Sequence, residues 1–157
     1  YWRQPYPYLL PACSRRAAEE LLEQGFPEHT AVISFYDPPS KRNAVQPLDY
    51  IGKAERVFPI AIHDLDLTAL PEVALDYETF FPEADNLAAF ILQAEKDHLN
   101  IICQCEYGQS RSAACAAAIR EYFCGDGIQI FADYRYYPNQ VVYHKVFDAL
   151  TKKGKVK

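Results

Sequence analysis

The 157-residue chain contains no Met, even at position 1, which suggests that it is not the complete translated product. Apolar runs of bilayer-spanning length are also missing, which excludes a transmembrane helix. Nor does the sequence start with a basic segment followed by a signal-like apolar core. Clustered Lys and Arg are scarce and the formal net charge is -5, which argues against a broad nucleic-acid-binding surface. The one basic run, Lys152, Lys153, Lys155 and Lys157, reads as a frayed end. Repeats, low-complexity tracts and linkers are absent, so the expectation is one domain over residues 1–157.

The five cysteines, Cys13, Cys103, Cys105, Cys115 and Cys124, are odd in number and mostly in apolar surroundings. That favours free thiols in a reducing cytoplasm over a disulfide framework. Cys103 and Cys105 form a CxC pair, but without a second pair or clustered His a zinc site is not expected. A reversible disulfide protecting Cys105, with Cys103 or Cys124 as partner, is conceivable. Cys115 falls in an Ala-rich stretch and reads as core.

Half of the residues are apolar and about a quarter charged, an ordinary balance for a globular domain. The spacing predicts a helix over 14–24, with Ser14 as N-cap and Gly25 as stop. The apolar run 30–36, ended by Asp-Pro-Pro, predicts a buried strand. A second strand is expected over 56–63 despite the interior Pro59. Pro82 opens a helix through Ala94 with Leu87, Phe90, Ile91 and Ala94 on one face. Residues 99–103 read as a buried strand, 111–123 as an Ala-rich helix, and a last helix runs from near Asn139 to Leu150. Strands alternating with helices predict an α/β domain with a largely parallel central sheet flanked by helices.

From the end of the strand at 99–103 into the start of the Ala-rich helix runs Cys105-Glu106-Tyr107-Gly108-Gln109-Ser110-Arg111-Ser112. A Cys, five residues and an Arg at the carboxyl end of a central strand form a phosphate cradle. Successive backbone N–H groups of Glu106, Tyr107, Gly108, Gln109 and Ser110 can turn inward onto an oxyanion. Gly108 permits a conformation that a side chain would penalise. Arg111 offers a planar fork that matches two phosphate oxygens. Inward N–H groups and the following helix stabilise negative charge on the Cys105 sulfur.

This stretch and the helix after it, CEYGQSRSAACAAAI, resemble the signature loop of the dual-specificity branch of the protein tyrosine phosphatase superfamily. The likeness is greatest to a small bacterial group with a CEAG-SRS-type loop and a later segment like Tyr137-Pro138-Asn139. The resemblance is strong over 101–119, recognisable from Val32 to Asp66 and weak elsewhere. It implies the cysteine-phosphatase fold, a cysteinyl-phosphate intermediate formed on Cys105, and no metal or other cofactor. One departure is Gln104, where many members have a His that helps to order the loop; the degree of activation is thus left open.

The mechanism needs a general acid for the leaving oxygen. By resemblance an Asp after an earlier strand supplies it; Asp64 fits best, Asp66 is second, and Asp76 is an outside candidate. Solvated loop carboxylates are the alternative for each. Ser112 is expected to donate to the sulfur, or to be an ordinary first-turn serine. His63 reads first as structural, with perturbation of the nearby carboxylates as its other role; the aromatic group Tyr134, Tyr136 and Tyr137 reads first as packing, with a pocket rim as the other role. The expected substrates are phosphoproteins or small phosphoesters, with phosphotyrosine foremost and phosphoserine or phosphothreonine open. A rhodanese-like sulfurtransferase usually carries one residue fewer in its loop, and a non-catalytic phosphate-binding module usually lacks the Cys or the Arg.

Overall fold

The computed structural model describes residues 12–41, 46–66 and 68–154. Its frame is a four-stranded sheet of β1 (Ala12–Ser14), β2 (Thr30–Tyr36), β3 (Arg56–Ala61) and β4 (Asn100–Cys105). The strand order is β1-β4-β2-β3 and every pairing is parallel. Among the described residues five helices accompany it: α1 (Arg15–Gln24), α2 (Ala84–Lys96), α3 (Arg111–Cys124), the one-turn α4 (Ile128–Phe131) and α5 (Gln140–Gly154). A short 3-10 turn spans Leu70–Val73. This is the predicted α/β architecture, with parallel pairing throughout the described sheet.

Strand periodicity divides the core into two layers. Ala31, Ile33 and Phe35 of β2, with Ile101, Cys103 and Cys105 of β4, pack against α2, α3 and α5. Val32 and Ile102 point the other way, toward Cys13, Ala18 and Tyr50. The alanines of α3 explain its depth: Ala113, Ala114, Ala116, Ala117 and Ala118 are all fully buried, and their small side chains let the helix lie close to its neighbours.

The predicted helix at 14–24 forms with its caps in place. Ser14 Oγ accepts a hydrogen bond from Ala17 N at 3.1 Å, and Gly25 closes the helix at φ 135°. Strand β2 spans the expected residues. Strand β3 stops two residues short of His63 and lies at the sheet edge, where Pro59 is tolerated and exposed. Strand β4 runs two residues further than expected, through Cys105, so Cys103 and Cys105 share one face.

The basic run needs correction. Lys152 and Lys153 belong to the last turn of α5, and Lys152 Nζ lies 3.3 Å from Asp85 Oδ2 of α2. Lys155 and Lys157 lie outside the described residues. Among the described residues no helix is long and apolar enough to cross a membrane.

Candidate active site

Cys105 ends β4 and Arg111 begins α3, so the five intervening residues form the loop at the carboxyl edge of the central strand. A trans peptide unit directs its C=O and the following N–H to opposite sides. Four loop carbonyls are bonded to groups outside the loop. Cys105 O accepts from Gln104 Nε2 at 3.0 Å, and Glu106 O from Arg15 N at 3.0 Å. Gln109 O accepts from Tyr137 N at 2.8 Å, and Ser110 O from Asn139 N at 3.2 Å. The N–H groups of Glu106, Tyr107, Ser110 and Arg111 therefore turn away from those partners, toward the inside of the loop. Gly108 N donates to Cys105 Sγ at 3.2 Å.

Gly108 occupies a position no other residue fits. Its φ is 73°, and a Cβ there would sit 2.5 Å from Ser14 N and 2.6 Å from Cys13 C. Backbone conformation and close approach to β1 both demand glycine.

The sulfur is buried and Ser112 Oγ touches it at 3.1 Å from the first turn of α3. The Arg111 guanidinium is buried too. Its Nη1 donates to Ile62 O at 2.6 Å and to Asp37 Oδ1 at 2.9 Å, while Nε has no hydrogen-bond partner. Asp37 was not singled out from the sequence. Its signal was its place directly after β2, at the carboxyl edge where α/β sheets gather functional groups.

The candidate acids separate in the structure. Asp64 reaches the loop: its Oδ1 accepts from Ser110 Oγ at 2.7 Å and from Asn139 Nδ2 at 2.8 Å. Asn139 is anchored in turn, donating to Leu65 O and accepting from Val142 N at the start of α5. Asp66 turns instead to its own chain, where the Thr68 hydroxyl and Ala69 N hold its carboxyl below the usual range. Asp76 is held likewise by the backbone N–H and hydroxyl of Thr79. His63 is exposed.

A cavity of about 660 Å³ abuts the loop at Ser110 and is walled by Asp64, Asp66, Tyr77, Tyr137 and His144. Cys105 and Arg111 are not among its lining residues, so it flanks the sulfur rather than covering it. The three tyrosines part company: Tyr136 is buried, Tyr134 is on the surface away from this cavity, and Tyr137 is exposed on its wall.

The remaining thiols stand apart from the loop chemistry. Burial pushes the Cys13 thiol up to about 12, with the nearby Cys105 adding to it. Burial likewise raises the Cys103 thiol, and its hydrogen bond with the free thiol of Cys115 adds to the shift. Cys124 is at the far end of α3, thirteen helical rises of ~1.5 Å from Arg111, so it is no partner for Cys105.

No family model and no curated protein matches the chain. Solved structures do. The human tyrosine phosphatase-like serine/threonine/tyrosine-interacting protein superposes with a TM-score of 0.55 at 16% identity, over 90% of this chain and 87% of that one. Human DUSP28 superposes with a TM-score of 0.51 at 16% identity, over 93% and 94% of the two chains. A point variant of DUSP28 gives 0.52 at 18%, over 92% and 90%. The chain has the dual-specificity phosphatase fold.

Proposed function

We propose that the chain is a cysteine-dependent phosphatase that hydrolyses phosphomonoesters, phosphotyrosine foremost, through a cysteinyl-phosphate on Cys105. The observation that carries this reading is the ring of loop carbonyls bonded outward around a buried sulfur. A ring of N–H groups turned inward is an anion site. The buried, unpartnered Arg111 Nε supports it, because a desolvated cationic donor is stabilised when an anionic acceptor meets it.

In the first step Cys105 Sγ attacks phosphorus, an S–P bond forms and the ester P–O bond breaks. Asp64, held at the loop by Ser110 and Asn139, gives its proton to the departing oxygen. In the second step water attacks phosphorus and passes a proton to the Asp64 carboxylate as the S–P bond breaks. The Ser112 hydroxyl donates to the returning charge on sulfur, and inorganic phosphate leaves. The inward N–H groups and Arg111 hold the phosphoryl oxygens through both steps. Asp66 is the alternative acid, disfavoured because its carboxylate is bonded to Thr68 and Ala69 rather than to the Cys105–Arg111 loop. The flanking cavity with its exposed Tyr137 gives room for a leaving group larger than a small alcohol.

A second reading is a module of the same fold that binds phosphate without turnover. One observation favours it: Arg111 Nη1 is already engaged by Asp37 and Ile62 O, partners a phosphate would have to share or displace.

Hydrolysis of an aryl phosphate by wild type, Cys105→Ser and Arg111→Lys, without added metal, separates the two. Turnover in wild type and its loss in Cys105→Ser supports the phosphatase; phosphate binding without turnover supports the module. Activity retained by Cys105→Ser excludes the cysteinyl-phosphate, and thiosulfate turnover would show a sulfurtransferase.

A further inference from the structure

Directly before the nucleophile, Gln104 points to the opposite face of the sheet from Cys105 and is almost fully buried. Its side chain is hydrogen-bonded at both ends. Oε1 accepts from Ser34 Oγ at 2.6 Å and from Tyr50 Oη at 2.8 Å, while Nε2 donates to Cys105 O at 3.0 Å. Ser34 is the cross-strand neighbour of Gln104 on β2. Tyr50 comes from the segment before β3 and is itself buried, edge-on to Phe26 with ring centroids 5.7 Å apart.

The polarity of this arrangement is fixed by chemistry. The Cys105 carbonyl can only accept, so the amide must present its NH₂ there and its oxygen to the two hydroxyls. The hydroxyls donate to that oxygen and in doing so prevent the amide from turning over. With the Cys105 carbonyl tied to the rear of the sheet, the N–H of the same peptide plane, that of Glu106, faces forward into the loop.

We propose that Tyr50 and Ser34, acting through Gln104, are positioning residues that set the Cys105–Glu106 peptide plane and thereby hold the Glu106 N–H as a donor to the bound phosphoryl group. The inference rests on the phosphate-binding reading of the loop and assigns it a support on the far face of the sheet. Burial makes the linkage costly to break, since each group freed would be an unsatisfied polar atom in the core. None of the three side chains is cationic, so the device orients the donor without contributing charge.

The experiment measures tungstate binding by calorimetry, aryl phosphate kinetics and thermal unfolding for wild type, Tyr50→Phe, Ser34→Ala/Tyr50→Phe, Gln104→Leu and Gln104→His. Loss of one anion-facing donor is expected to weaken tungstate about tenfold in Gln104→Leu and in the double variant. Tyr50→Phe is expected to lose about threefold, because Ser34 still holds the amide. Gln104→His is expected to restore binding to within about twofold of wild type, since a ring N–H can donate to the same carbonyl. In the kinetics the loss is expected in kcat as well as KM. Unchanged tungstate affinity in variants that fold overturns the proposal; should Gln104→Leu and the double variant not fold, Tyr50→Phe decides. Failure of the phosphatase reading looks different: wild type would bind tungstate, with the same variant ranking, but turn nothing over.

Discussion

Ser112 Oγ sits 3.1 Å from Cys105 Sγ, delivered by the first turn of the helix that the loop leads into. In the proposed mechanism the Ser112 hydroxyl donates to sulfur as it departs from phosphorus, in the second half-reaction. Ser112→Ala is therefore expected to lower kcat on the order of tenfold to a hundredfold and to expose a burst of aryl alcohol followed by slow turnover. Stopped-flow absorbance checks this. An equal loss with no burst would show that Ser112 acts in the first step or only in folding.

Gly108→Ala is expected to cost about 3 kcal/mol or more, since both its positive φ and the backbone of Cys13 and Ser14 oppose a Cβ. Gly52→Ala and Gly125→Ala share the positive φ but meet no atom within 4 Å, and should cost only about 1 kcal/mol each. Chemical denaturation of the three variants makes the comparison; similar losses at all three sites would refute the contact with β1.

Asp64→Asn should slow hydrolysis of a phosphate ester with a poor leaving group on the order of a hundredfold. With a good leaving group, whose oxygen needs little protonation, the effect should shrink. Asp66→Asn is expected to leave this leaving-group dependence intact, because its carboxylate is committed to Thr68 and Ala69. A linear free-energy plot over substituted aryl phosphates distinguishes them, and reversed behaviour would make Asp66 the acid.

Acid should weaken the segment before α5. The Arg135 guanidinium and backbone N–H beside Asp133 hold its carboxyl down to about 2, below the ordinary 3.8. A depressed carboxyl contributes stability that is present above 3.8 and is lost as pH falls through about 2. The pair is exposed, so the contribution is small. The melting temperature of Asp133→Asn is expected to lie below wild type at pH 6 and to converge with it near pH 2; a constant gap across that range would contradict the assignment.

The parts legible in the sequence are those governed by local chemistry. The Ser14 cap, the Asp-Pro-Pro end of β2 and the Cys-to-Arg spacing each act within a few residues, and each stands in the structure. Strand β1 was not legible, because three residues carry no periodicity and Ala12–Ser14 becomes a strand only by pairing with β4. The same holds for the support of the loop. Gln104 was visible as a departure, but Ser34 and Tyr50, far from it in sequence, become its partners only once β2 and the segment before β3 are in place. Asp64 could be ranked above Asp66 only by resemblance; the separate commitments of their carboxylates emerge from tertiary contacts with Ser110 and Asn139.

The outward bonds of the loop run to Arg15 near the beginning of the described chain and to Tyr137 and Asn139 near its end. Contacts between such distant parts carry a large loop-closure entropy, which must be met before these outward bonds can form. The loop thus has no local folded form of its own: a partly folded chain would carry Cys105 and Arg111 without the cup between them. On the proposed phosphate-binding reading, phosphate would bind the finished cup alone and act as a folding ligand, raising the midpoint of the whole domain rather than of one corner.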